Sequence, residues 1–130
     1  RDIRHDWCDN IFSCEGARLW ILDKDKKFVE STSFAHPGKK LKMEIGTGTV
    51  GNVCFSGYSI NIQDAQKNQK HDKDEDSKTN SFMCVKIGDL MGRPLGCVAL
   101  HNKLVGGRFT EIDEKTLTRL ADALGRNFAR

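Results

Sequence analysis

No apolar run in this chain of 130 residues is long enough to cross a bilayer. No secretory leader precedes the first charged segment. The chain opens on Arg1 without a methionine, which reads as a piece of a longer protein. An excess of one charge is also missing. Lys and Arg number 21 against 18 Asp and Glu, and the signs are interspersed, which argues against a nucleic-acid surface. The five cysteines form no C-x-x-C, so zinc-ribbon and thioredoxin motifs are excluded. Cys84 and Cys97 sit inside apolar runs and read as small buried residues of a reducing, cytoplasmic protein. His5, His36, His71 and His101 lack metal-ligand spacing, and no nucleophile can be assembled with partners. Neither H-R-D nor D-F-G occurs, which removes a kinase.

The stretch from Asn102 to Glu114 is the most informative part of what is present. The apolar run Pro94–Leu100 leads into it and reads as a strand. The helical stripe Leu117, Leu120, Ala121, Leu124, Phe128 leads out. Thr110 and Asp113 have capping-box spacing, with acids in the first turn where the helix dipole favours them. Lys103 and Asp113 are placed to pair across the Gly106-Gly107 turn.

Periodicity predicts further elements. Residues 1–13 read as a helix ended by Cys14-Glu15-Gly16, with Ile3, Trp7 and Ile11 on one stripe. Strands are expected at 18–22, 28–34, 40–45, around Ile60 and Ile62, at 82–87 and at 95–100. A short helix over 49–56 is closed by Gly57, and residues 63–80 form a polar stretch without periodicity. Strands in runs, with helices at both ends and one between, predict one α+β domain around an antiparallel sheet.

Two motifs mislead. Gly46-Thr-Gly-Thr-Val-Gly51 spells a dinucleotide loop, but Asn52 to Gly57 is too short for a parallel crossover. The glycines serve a tight strand-to-helix turn, behind which the helix start can face an anion. Asp72, Asp74 and Asp76 occupy calcium-loop positions, but Ser77 stands where glycine is needed and Met83 where glutamate is needed.

Asn102, Lys103, Phe109, Asp113 and Glu114 together resemble the Asn-Lys…Phe…Asp-Glu signature of GAF domains from cyclic-nucleotide phosphodiesterases and related cyclases. The resemblance extends through Ala17–Asp23, Gly48–Gly51, Gly57–Asp64 and Ser81–Ile87. It implies a GAF-like central sheet with the terminal helices on one face and a ligand pocket on the other, under the middle helix and the 63–80 loop. It implies a regulatory site for cAMP or cGMP as allosteric ligand, with no other cofactor, metal or catalytic residue. Phe34 is the implied base-stacking residue and Arg18 an implied base contact. Thr49 and Val50 are implied at the helix start, and Asp76, Ser77 and Thr79 in the loop. The five signature residues are implied to support the fold. Ala99 stands where some binders carry an acid. The GAF branch that reduces free methionine sulfoxide carries a cysteine where Val50 stands here, which separates this chain from it. A ligand-free module for dimerisation and signal relay is the alternative, and a weak homodimer through the terminal helices is expected in either case.

Overall fold

The computed structural model describes residues 5–32, 40–63 and 81–128. Phe34, Asp76, Ser77 and Thr79, together with most of the 63–80 stretch, lie outside the described residues. Six antiparallel strands form one sheet: β1 (Cys14–Leu22), β2 (Phe28–Thr32), β3 (Lys40–Glu44), β4 (Ile60–Ile62), β5 (Phe82–Gly88) and β6 (Pro94–Lys103). Their spatial order is β3-β2-β1-β6-β5-β4, so β4 is an edge and β1 with β6 is the centre. A π-type helical segment, His5–Phe12, precedes the sheet. Helix α1 (Gly48–Ser56) lies between β3 and β4, and α2 (Glu111–Phe128) ends the fold.

Side chains alternate across a strand, so β1, β5 and β6 each serve two cores. Ala17, Met83, Val85, Ile87, Val98 and Leu100 form one face, covered by Trp7, Phe12, Leu117 and Ala121 from the terminal helices. Trp20, Val29, Phe82, Cys84, Cys97 and Ala99 form the other, covered by Val50, Val53 and Cys54 of α1. The expected two-sided architecture is therefore the observed one.

One boundary differs from the sequence reading. Cys14-Glu15-Gly16 does not end the first helix but opens β1, because Ser13 takes a left-handed φ of 50° and reverses the chain one residue earlier. Trp7, placed by periodicity on one stripe with Ile3 and Ile11, is only 7% exposed and meets Phe12 edge-on at 6.4 Å. It belongs to the core, whereas Ile11 and Ile112 stay exposed.

Glycine decides two close approaches. A Cβ at Gly51 would lie 2.3 Å from the Glu44 carbonyl oxygen, so only glycine lets the start of α1 press against the end of β3. A Cβ at Gly125 would lie 1.9 Å from the Gly88 carbonyl oxygen, so α2 packs on β5 through bare backbone. Gly57, with φ 79°, closes α1 in the left-handed region, and its N–H donates to the Val53 carbonyl at 2.8 Å.

Candidate functional site

The 102–114 stretch forms a compact hydrogen-bonded knot. Asn102 takes a left-handed φ of 58°; its side-chain oxygen accepts from the Ser81 N–H at 3.2 Å, and its own N–H donates to the Ser81 carbonyl at 2.7 Å. The Lys103 ammonium meets the Asp113 carboxylate at 3.2 Å and also donates to the Phe12 carbonyl. It therefore ties the end of the N-terminal helix to β6 and to the start of α2. The Asp113 carboxylate accepts from the Thr110 N–H at 2.9 Å, while the Asp113 N–H donates to the Thr110 hydroxyl at 3.2 Å. That exchange is the reciprocal capping box expected from the spacing. Phe109 is buried below the Lys103 ammonium, 6.0 Å from it, and its carbonyl accepts from the Asn61 amide of β4 at 2.8 Å. Glu114 accepts from the Ser59 hydroxyl at 3.2 Å. These contacts join elements distant in sequence.

The α1 face is built differently. Arg18 and Trp20 are two positions apart on β1, and both point toward this face. The Arg18 guanidinium carbon lies 5.8 Å from the Trp20 ring centre. Ser31 of β2 stands directly opposite Trp20 in the register. One atom from each of these residues is enclosed without a hydrogen-bond partner: Arg18 Nη1, Trp20 Nε1 and Ser31 Oγ. Buried polar atoms are normally satisfied, so such a group calls for an explanation.

Thr49 and Val50, expected beside a ligand, lie in the first turn of α1 and are buried against the sheet. The structure thus brings Arg18, Thr49 and Val50 to one face. Beneath them the Cys54 and Cys97 sulfurs are 3.3 Å apart, and Cys97 Sγ lies 3.9 Å from the Val50 carbonyl. Burial, with Cys54 and Cys84 close by, pushes the Cys97 thiol up. Cys14 is also raised, first by its hydrogen bond with Cys8 and then by burial. All five cysteines are buried and free, which suits packing and not nucleophilic chemistry.

A shallow cavity of about 420 Å³ opens elsewhere, at the β1–β2 turn, between Leu22, Lys24, Lys26 and Pro94. It contains neither Arg18 nor Thr49 nor Val50. Among the described residues no cluster of His, Cys, Asp or Glu is arranged to hold a metal ion. No helix among them is long and apolar enough to cross a membrane.

The family model of the GAF domain matches residues 8–128. The chain belongs to the GAF domain family. It is 34% identical over 83 residues to dual 3′,5′-cyclic-AMP and -GMP phosphodiesterase 11 of Drosophila melanogaster, covering 61% of this chain and 6% of that protein. A dual phosphodiesterase 11A of Takifugu rubripes is 35% identical over 77 residues, covering 55% of this chain and 8% of that protein. The matched region is thus a small part of these relatives.

Solved GAF folds superpose closely. The GAF domain of a phosphoenolpyruvate-protein phosphotransferase from Coxiella burnetii gives a TM-score of 0.82 at 21% identity, over 98% of this chain and 78% of that one. A free methionine-R-sulfoxide reductase from Neisseria meningitidis gives 0.73 at 18% identity, over 93% and 71%. At these identities the likeness establishes the fold alone, and the fold hosts enzymes as well as other proteins.

Trp20 and Ser31 were not singled out by sequence reasoning. Trp20 was within reach, because two-residue alternation puts it on the same face as Arg18. Ser31 was not, because its place opposite Trp20 depends on the register between β1 and β2.

Proposed function

We propose that this GAF domain binds a cyclic nucleotide, cAMP or cGMP, on the α1 face and regulates an attached phosphodiesterase or cyclase domain in the cytoplasm. The observation that carries the reading is the 34% identity over 83 residues to a dual cyclic-AMP and -GMP phosphodiesterase. The α1 face supports it with a half-buried arginine and buried polar atoms that lack partners. In this reading Arg18, Thr49 and Val50 contact the ligand, and Phe34, Asp76, Ser77 and Thr79 are the further contacts that the resemblance implies. The domain itself performs no chemistry; a ligand that binds one conformation better shifts the balance of states in the attached domain.

Calorimetry with cAMP and with cGMP tests it, paired with thermal unfolding. Ligand at a hundredfold excess over Kd stabilises the folded state by about 2.7 kcal/mol. Phe34→Ala is expected to weaken binding by about 1–3 kcal/mol if the ring stacks on the base. Absence of heat and of thermal shift with both nucleotides ends the reading.

The second reading is a ligand-free module for dimerisation. It draws on Ile11, 45% exposed, and Ile112, 76% exposed, which leave apolar surface on the terminal helices. A dimer that forms without nucleotide, and a melting temperature unmoved by it, favours this reading.

A further inference from the structure

We infer that Arg18, Trp20 and Ser31 form an oxyanion site, so that the charged end of a ligand, and not its base, docks on β1. The site takes a phosphate or a carboxylate group. The inference rests on the reading that the α1 face is the ligand face, but not on the ligand being a nucleotide.

The first support is charge. A guanidinium keeps its proton at any pH the fold tolerates. Arg18 takes part in no ion pair among the described residues. Its cross-strand neighbour on β6 is Ala99, and the next residue in that row is Cys84 of β5. His101, two positions along β6 on the same face, brings no negative charge. The nearest acid on β2, Glu30, faces the other way and pairs with Lys42 of β3 at 3.8 Å. Among the described residues the half-buried Arg18 cation is therefore without a compensating acid, and its Nη1 is fully enclosed. Enclosed charge is costly unless it is paired and hydrogen-bonded.

The second support is polarity. Arg18 Nη1 and Trp20 Nε1 can only donate, and the Ser31 hydroxyl can donate as well. Trp20 is 0% exposed and Ser31 4%, so bulk water does not meet these donors. Donors gathered on one face of the sheet suit a group made of acceptors alone. An adenine amino edge brings a donor of its own and fits poorly. A guanine carbonyl edge fits the donors but leaves the charge unpaired. An oxyanion meets both needs, and hydrogen bonds between charged partners are about twice as strong as neutral ones. The planar guanidinium also presents paired donors in the geometry a phosphate or carboxylate accepts.

The test compares wild type with Arg18→Gln, Arg18→Lys and Ser31→Ala. Probes are cGMP, cAMP, the neutral nucleosides guanosine and adenosine, inorganic phosphate, and succinate. Calorimetry reads affinity, and the Trp20 indole N–H resonance, told from Trp7 by Trp7→Phe, reads occupancy of the site. At least one anionic probe is expected to shift the Trp20 indole. Arg18→Gln should weaken that probe at least tenfold, Arg18→Lys less, and neutral nucleosides should bind weakly to all variants. Without ligand, Arg18→Gln is expected to melt no lower than wild type, because it removes an unpaired charge; a purely structural arginine would give a clear loss. If Arg18→Gln does not fold, Arg18→Lys and Ser31→Ala carry the affinity test. Nucleotide binding that is indifferent to Arg18, or nucleosides that bind as tightly as nucleotides, overturns the oxyanion site and leaves the cyclic-nucleotide reading standing. Arg18-dependent binding of phosphate or succinate with no response to either nucleotide does the reverse. Silence of the Trp20 indole to every probe overturns the site.

Discussion

Asp113→Ala is expected to be among the most damaging single polar changes in this domain, and its cost can be built from the structure. The carboxylate does two jobs. It accepts from the Thr110 N–H at 2.9 Å, capping α2, and it neutralises the Lys103 ammonium at 3.2 Å. Loss of a helix cap costs about 1 kcal/mol. Removing one partner of a buried pair costs about 3–5 kcal/mol when burial is complete. Here both side chains keep 12% exposure, and Lys103 retains the Phe12 carbonyl, so the second term should be about 1–3 kcal/mol. The sum is about 2–4 kcal/mol. Lys103→Met should cost less, about 1–2 kcal/mol, because Asp113 keeps its cap and the favourable helix dipole. Urea unfolding of both single variants and the double variant closes a thermodynamic cycle, with a coupling of about 1–2 kcal/mol expected. Additive losses would refute the pairing. A charge swap is a poorer test than it looks from sequence alone. It places lysine where Asp113 receives the Thr110 N–H, so the swap should restore only part of the loss.

Three further outcomes follow from contacts. Gly125→Ala should destabilise: helix propensity alone favours alanine by about 1 kcal/mol, but the new Cβ would lie 1.9 Å from the Gly88 carbonyl oxygen, and thermal melts decide the sign. Trp7→Glu should unfold the domain, seen as lost circular dichroism, whereas Ile11→Glu with Ile112→Glu should leave the fold intact and weaken self-association in sedimentation equilibrium; a monomer mass for wild type at high concentration would end the dimer proposal. Asp89 is held below its ordinary value first by the Arg93 N–H, then by the Arg93 side chain and the Met91 N–H. A depressed carboxylate contributes stability above its unfolded value, and that contribution is lost as pH falls through the folded one. Asp89→Asn should therefore flatten the loss of stability below about pH 4, and an unchanged acid limb would remove Asp89 from the account.

Much of the fold is written in short-range patterns. Alternation at Ile60 and Ile62, the stripe from Leu117 to Leu124, and the Thr110–Asp113 spacing each act within a few residues. Strand, helix and cap were legible for that reason, and the architecture follows once the sheet must bury both faces. Even the Lys103–Asp113 pair was within reach, because only ten residues and one tight turn separate the partners.

What the chain could not display in one dimension is which residues become neighbours across strands. Ser31 and Trp20 share a row only because β2 pairs with β1 in one register, and a slip of one would turn Ser31 to the opposite face. Gly125 reads as a weak point in a helix until α2 is laid on β5, where only a hydrogen in place of a side chain fits. Trp7 reads as an end residue until the segment folds back over β1. In sequence Arg18 is an implied base contact; that the fold encloses one of its nitrogens, with no acid paired to it among the described residues, is visible only in three dimensions. Local order is set by dihedral preference and polarity period, which act along the chain. Burial of a charge depends on every element packed around it, so only the assembled tertiary structure could show that Arg18 is partly enclosed.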